Sequence, residues 1–255
     1  MGVNITVKNA NYTDIGTILL GDVITNYVTA TGLTDPTEIG AIEQLIFSLA
    51  SNGIYKKMDA MYLFVGDTYN KVKINIVDNA AYTLDTIPEV NVSNGLDMST
   101  LSAISTNFIG NDTWLGNGHI AAYNSTTETS NIGFLLHNAA DVTKGAVLAR
   151  SSQNGASIFH GLDSINIVTP INTEVGLFTS TQDADTARIY SKGVLLSSDA
   201  NPKTNSATEA VTVSTNTGYK SSTTLQVVSI GALLTLSEIA AYNTACEIFT
   251  ATLGR

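Results

Sequence analysis

The hydrophobic residues of this chain change period at Gly53, and that change restricts the available folds more than any other feature. Before it, Asp35-Pro36-Thr37-Glu38 supplies an acidic N-cap, a proline at the first helical position and a glutamate three residues after the cap, a capping-box arrangement. Ile39, Ile42, Leu45, Ile46 and Leu49 then recur at helical spacing, and Gly53 provides the stop. After it, Ala60 to Val65 reads as a fully buried strand, and Val72, Ile74 and Ile76 alternate with Lys73 and Asn75 as a half-buried one. Further upstream, Ile18 to Val28 is apolar but broken by Gly21, and reads as a short helix or a strand.

The rest of the text is β until the C-terminus. Candidate strands are His119 to Tyr123, Asn131 to His137, Ala146 to Arg150, Ile165 to Val168, Val175 to Thr179, Ala187 to Tyr190, Val211 to Val213 and Leu225 to Ile230. Turn-forming clusters around Asn94, Asn117 and Asn154 separate them, and a spacing of about ten residues with such turns is that of a β-sandwich. A last helix opens at Leu236-Ser237-Glu238 with a serine cap and ends at Gly254. Ile239, Tyr242, Ala245, Cys246 and Phe249 form its apolar face, which makes Cys246 a small core hydrophobe.

Composition narrows the function classes. Twenty-two acidic against 12 basic residues leave a net charge of −10, with no block of Lys and Arg to reverse it locally. This argues against nucleic-acid partners and anionic membranes. Only 13% of residues are charged, and polarity comes instead from 34 Thr, 22 Ser and 23 Asn, as in extracellular β proteins and virion proteins. One cysteine permits no intrachain disulfide, and no zinc-ligand spacing occurs, so no cofactor is expected. The start MGVNITVKNANYTD lacks the basic and apolar regions of a signal peptide, and no apolar run reaches about 18 residues. The myristoylation-like Gly2 to Thr6 pattern, and sequons beginning at Asn4, Asn11, Asn91, Asn111 and Asn124, read as products of composition.

Three stretches carry a family resemblance: AIEQLIFSLASNGIYKKMDAMYLFVGD at 41–67, VKINIVDNAAYTL at 72–84 and LQVVSIGALLTLSEIAAYNTACEIFTATLGR at 225–255. Their order resembles the concanavalin A-like (laminin G-like) jelly-roll domains of tailed-bacteriophage structural proteins. The matching residues are Gly53, Ile54, Tyr55 and Lys56 at the helix-to-strand turn, and Ser237, Glu238, Tyr242, Leu253, Gly254 and Arg255 at the close. FIGNDTWLGNGHIAAYN at 108–124 and EVGLFTSTQDADTARIYSKGVLL at 174–196 look similar too, the latter as two strands and a hairpin at Ser191-Lys192-Gly193. The resemblance implies a mainly β jelly-roll sandwich over 55–255, preceded by an N-terminal arm and helix over 1–54 and closed by a short C-terminal helix. It also implies a virion component, made in the host cytoplasm, that assembles with other virion proteins and with copies of itself as a homo-oligomer.

Catalytic signatures are missing from the text. His119, His137 and His160 lie in separate segments, no G-x-S-x-G occurs, and the carboxylates Glu128, Glu174, Asp183 and Asp185 are scattered. The sequence therefore leads us to expect a protein that is not an enzyme; a polysaccharide-degrading enzyme would need a carboxylate pair at catalytic separation. The Asp183-Ala184-Asp185 loop suits calcium but reads equally as a hairpin turn. Sugar binding is the alternative to assembly, with a host-surface glycan as partner. Its candidate residues are Asn111, Asp112, Trp114 and Tyr123, an aromatic platform with amide and carboxylate neighbours, although a lone Trp also fits a sandwich core. For assembly, the alternating Val3, Ile5 and Val7 make the N-terminus a candidate attachment arm that adds a strand to a neighbour.

Overall fold

The computed structural model describes residues 20–85, 93–99, 104–109, 117–127, 133–138, 148–150, 156–159, 167–170, 175–200, 210–213 and 222–255. Val3, Ile5 and Val7 lie outside the described residues, as do Asn111, Asp112, Trp114, Glu128, His160 and Glu174. Helices α1 (Leu20–Thr31) and α2 (Pro36–Ser51) come first. Asp35 caps α2 as its sequence implies, its side chain accepting from the amides of Thr37 and Glu38. Glu38 does not complete a capping box: its Oε1 accepts from the amide of Gly66, 3.1 Å away, and so ties the helix start to the chain beyond the first strand. At the other end Gly53 (φ +70°) ends α2 in a Schellman turn. Its amide reaches Ala50 O, and the amide of Ile54 reaches Leu49 O at 2.8 Å.

A 3₁₀ turn at Tyr55–Lys57 leads into β1 (Met58–Leu63). The expected strand at Val72 to Ile76 does not form. A single helical turn, α3 (Tyr69–Val72), is followed by irregular chain running along the edge of β1. The reason is Asn75, which is fully buried and uses its side chain where a strand would use its backbone. Its Oδ1 accepts from the amides of Met61 and Val77, and its Nδ2 donates to Asp59 O and Ala81 O. Only one ladder-like bond remains, Ile76 N to Met61 O. The exposed backbone of an edge strand is thus satisfied and shielded.

The remaining strands are β2 (Leu96–Asp97), β3 (Ile104–Ile109), β4 (Gly118–Asn124), β5 (Gly133–Asn138), β6 (Leu148–Arg150), β7 (Ala156–Phe159), β8 (Ile167–Pro170), β9 (Gly176–Gln182), β10 (Ala187–Ser191), β11 (Val194–Asp199), β12 (Ala210–Val213) and β13 (Thr224–Ala232). β2, β3 and β7 have no counterpart in the sequence reading. The last helix is α4 (Leu236–Thr252), 17 residues long and within the bounds that the sequence implies. Its cap is Thr235 rather than Ser237: Thr235 Oγ1 accepts from the amide of Glu238, and Glu238 Oε2 accepts from the amide of Thr235 at 2.7 Å.

The protein is mainly β, with antiparallel sheets and a C-terminal helix, in agreement with the coarser part of the expectation. The large sheet runs β1-β13-β4-β9-β10-β11, and β2 continues the row of β1 beside β13. A second sheet runs β3-β12-β5-β6, and β7 pairs with β8. One face of the large sheet, with Tyr62, Ile120, Phe178, Ile189 and Val228, shares a core with Ile104, Phe108, Val211 and Val213 of the second sheet. Its other face, with Met61, Leu63, Ala121, Leu177 and Val227, is covered by Ile42, Leu45 and Leu49 of α2 and by Tyr242, Cys246 and Phe249 of α4. Each fully buried large apolar side chain contributes about 1.5–3 kcal/mol, so the helices are integral to the large sheet's stability.

Two glycines measure how closely these layers approach. A Cβ on Gly231 would stand 2.1 Å from Lys57 O, where β13 meets the turn before β1, whereas one on Gly40, inside α2, would meet nothing within 4 Å. Urea unfolding is therefore expected to show Gly231→Ala losing more than about 3 kcal/mol or failing to fold. Gly40→Ala should gain about 0.5–1 kcal/mol.

Candidate functional site

Tyr123 occupies β4 but does not offer a sugar platform. It is 3% exposed and packs under the helices, where burial pushes its hydroxyl up to about 12, with Cys246 close by adding to the shift. This corrects its assignment to a binding surface: on a strand covered on both faces, its ring has no route to solvent. Asn111, Asp112 and Trp114, its expected partners, lie outside the described residues. Cys246 is buried in the same layer and its thiol is pushed well up by desolvation, in keeping with a core role.

His119 has the neighbours of a nucleophile and base pair, but none of the access. Its Nε2 lies 3.2 Å from Ser229 Oγ and its Nδ1 lies 2.6 Å from Ala232 O. The carbonyl can only accept, so Nδ1 carries the proton and Nε2 accepts from the serine. The ring is fully buried, and burial, as the largest cause, lowers its pKa to about 4. A base that weak, without substrate access, is structural. The Asp183 loop is likewise satisfied internally: Oδ1 accepts from the amides of Asp185 and Thr186, and Oδ2 pairs with Arg188. Among the described residues no group of three or more His, Cys, Asp or Glu is placed to hold a metal ion.

The surface that does combine an exposed ring with polar groups was not identified from sequence. It lies where residues 82–85 run beside β3, and each segment holds one non-glycine residue in the left-handed region, Tyr82 (φ +54°) and Asn107 (φ +58°). At Asn107 the pairing of β3 with β12 shifts register, a bulge that leaves Asn107 and Ile109 outward. The buried hydroxyl of Tyr62 donates to the carbonyls of Tyr82 and Thr106. Asn107 Nδ2 donates to Thr83 O at 2.8 Å and Asp85 Oδ1 at 3.1 Å, and the amide of Asp85 donates to Ser105 O at 3.0 Å. The Tyr82 ring rests edge-on against the largely buried Phe108, with centroids 5.1 Å apart and planes at 66°. It stays 41% exposed, and Ile109 next to Phe108 is 56% exposed. A bulky residue at positive φ costs on the order of 1 kcal/mol, and such strain concentrates at ligand-binding surfaces.

No protein-family model matches the sequence, and no curated protein does. Solved structures do match in fold. Trypanosoma rangeli sialidase in complex with 2,3-difluorosialic acid superposes with a TM-score of 0.54 at 10% identity, over 82% of this chain and 39% of that one. The same sialidase in complex with sialic acid gives 0.53 at 11% identity, over 81% and 39%. The botulinum neurotoxin serotype D binding domain gives 0.51 at 12% identity, over 75% and 53%. The chain thus spans about two-fifths of the sialidase and half of the toxin domain. The expectation that the protein is not an enzyme is overturned by these matches, because the architecture is found within sialidases. At these identities the likeness is one of fold.

The buried imidazole makes stability depend on pH. Its folded pKa near 4 lies below its unfolded value of 6.5, so between these values the unfolded chain binds more protons and stability rises with pH. Acidifying from pH 7.5 to 5 should cost about 2 kcal/mol in denaturant unfolding. His119→Gln should flatten that slope. The carboxylates of Glu238 and Asp183, held below their usual range, lose their contribution only at lower pH.

Proposed function

We propose that the chain is a jelly-roll, concanavalin A-like module that recognises carbohydrate, carried on a tailed-phage virion and directed at a host-surface glycan. The observation that carries this reading is the Tyr82 ring, exposed and edge-on to Phe108, at the start of a segment that Asn107 ties to β3 through Thr83 O and Asp85. A planar ring accepts the apolar C–H face of a pyranose, while polar groups of the same surface exchange hydrogen bonds with the sugar hydroxyls. The platform is preorganised: its backbone is bonded to β3 and to Tyr62, so little conformational entropy remains to be lost on binding. The fold likeness to a sialidase in complex with sialic acid and to a neurotoxin binding domain supports a surface-recognition role.

Carriage on a virion rests on the phage-like stretches at 41–67, 72–84 and 225–255 and on the Thr, Ser and Asn polarity. Such a surface can pack against other virion proteins, or against copies of itself, with few long charged side chains to immobilise.

Tyr82→Gly separates function from folding. Glycine adopts the positive φ without strain, which offsets the lost contact with Phe108, so unfolding stability should stay within about 1 kcal/mol of the parent. Calorimetric titration with purified host-surface polysaccharide should show binding by the parent chain and at least about tenfold weaker binding by Tyr82→Gly. Unchanged binding in the variant would move the site elsewhere.

A further inference from the structure

We propose that β11 is a pairing edge, along which two copies of this chain join their large sheets through antiparallel β11 strands related by a twofold axis. The proposal stands apart from the carbohydrate reading and concerns where copies of the chain meet. It starts from how the sheet edges are finished. At one end of the large sheet, β1 is bonded along its outer edge by Asn75 Oδ1 and by the amide of Ile76. The edge of the second sheet at β3 is bonded by residues 82–85, through Asp85 N to Ser105 O and Asn107 Nδ2 to Thr83 O. β11, the other end of the large sheet, pairs with β10 alone among the described strands, and β8, which comes near it, pairs with β7. In an antiparallel edge strand every second residue turns its N–H and C=O outward, open to another strand.

What the strand carries favours its own copy as the partner. Val194 is 63% and Leu195 46% exposed, while Leu196 packs inward on the sandwich core. Leu195 pairs with Tyr190, which places it on the helical side of the sheet. The hairpin is pressed onto α4 there: a Cβ on Gly193 would stand 2.7 Å from Ala240 Cα. Leu236 lies one helical turn before Ala240 on the same face of α4 and is 54% exposed, so it extends the apolar strip. A twofold interface sets each patch against its own copy, so any charge in it meets its own sign. A chain of net charge −10 pairs with itself only where that repulsion is absent, and Val194 to Ser198 hold no charge. Lys192, before the strand, lies back over Gly176, on the β9 side and away from the outer edge of β11. A partner recognised by charge would find no counter-charge in this strip. The bulge that Leu196 makes against β10 shortens the straight edge, so the pairing is a weak one, on the order of micromolar.

Sedimentation velocity of the full chain, from low micromolar to near-millimolar concentration, should show a monomer converting to a species of twice its mass. Hydrogen exchange on the same samples should show the amides of residues 194–198 slowing as concentration rises, while those of β1 stay unchanged. Leu195→Lys should raise the concentration at which half the chain is dimeric at least about tenfold, since two like charges then meet near the axis. Mixing Leu195→Lys with Leu195→Glu should restore a dimer containing one copy of each, a result that a folding defect could not give. Ile248→Lys, at an exposed position three turns along α4 from Leu236, should leave the dimer intact. A monomer at every concentration overturns the proposal. So does a dimer that Leu195→Lys leaves unchanged, because the contact then lies elsewhere. Mass growing past the dimer overturns the twofold arrangement. Loss of the dimer in Ile5→Lys overturns it too, by giving the edge to the neighbour's N-terminal segment. Sugar binding is read separately, so either result leaves the Tyr82 reading where it stands.

Discussion

The rest of the structure depends on a large sheet that is buried on both faces. β4 and β9 are buried along their whole length, and β13 is buried between its first and last residues. Such a sheet is stable in water only when both faces are covered. The second sheet covers one face and α2 with α4 the other, so the helices belong to the same packing problem as the strands. The termini of the helices are fastened accordingly. Lys57, at the turn before β1, donates to Glu238 and Leu233 O, and Glu238 also closes the cap of α4. At the far end, α4 stops in a second Schellman turn at Gly254, and Arg255 reaches across to Phe64 O and Gln226. Gln226 sits at a bulge in β13 and donates in turn to Asn94 O and Ser125 Oγ, so its side chain and that of Arg255 together join the ends of β1, β2, β4 and α4.

Covering both faces has a consequence for function. A sheet with no open face offers no shallow concave surface for a ligand, and its buried His119 and Ser229 answer one another and the backbone. A recognition surface of the kind proposed must then lie at edges and bulges. The Tyr82 and Asn107 pair occupies such a place, on the second sheet's outer strand, where two left-handed residues face each other across a set of fixed hydrogen bonds. The strain there is sustained by the buried Tyr62 hydroxyl and by Phe108, both part of the sandwich core.

Much of the fold was legible because local chemistry and global packing agree. The Asp35 cap, the Gly53 stop, the apolar face of α4 and the hairpin at Lys192-Gly193, with φ of +51° and +77°, all follow from residue types with few alternatives. The strand at Val72 to Ile76 was misread because its alternation is real, but the side chain of Asn75 takes over the pairing that backbone would otherwise make. The helix cap was misread by two residues because Ser237 and Thr235 are equally good caps by type, and the reciprocal bond of Glu238 decides between them. The proposed binding surface was not legible at all. Tyr82 follows two alanines and precedes Thr83, with no turn residue to announce a positive φ, and its partner Asn107 is 25 positions later. Tyr123 attracted attention instead because exposure cannot be read from a tyrosine in alternating text.

The most direct test of the account is a map of backbone amide shifts as a host-surface oligosaccharide is titrated into the isotopically labelled chain. The account predicts shifts concentrated at Tyr82 to Asp85 and Ser105 to Ile109, with β4, β9, β13 and α4 unmoved. Shifts centred on the large sheet or on the helical layer would contradict it, because a ligand there would have to reach a face that the structure shows closed.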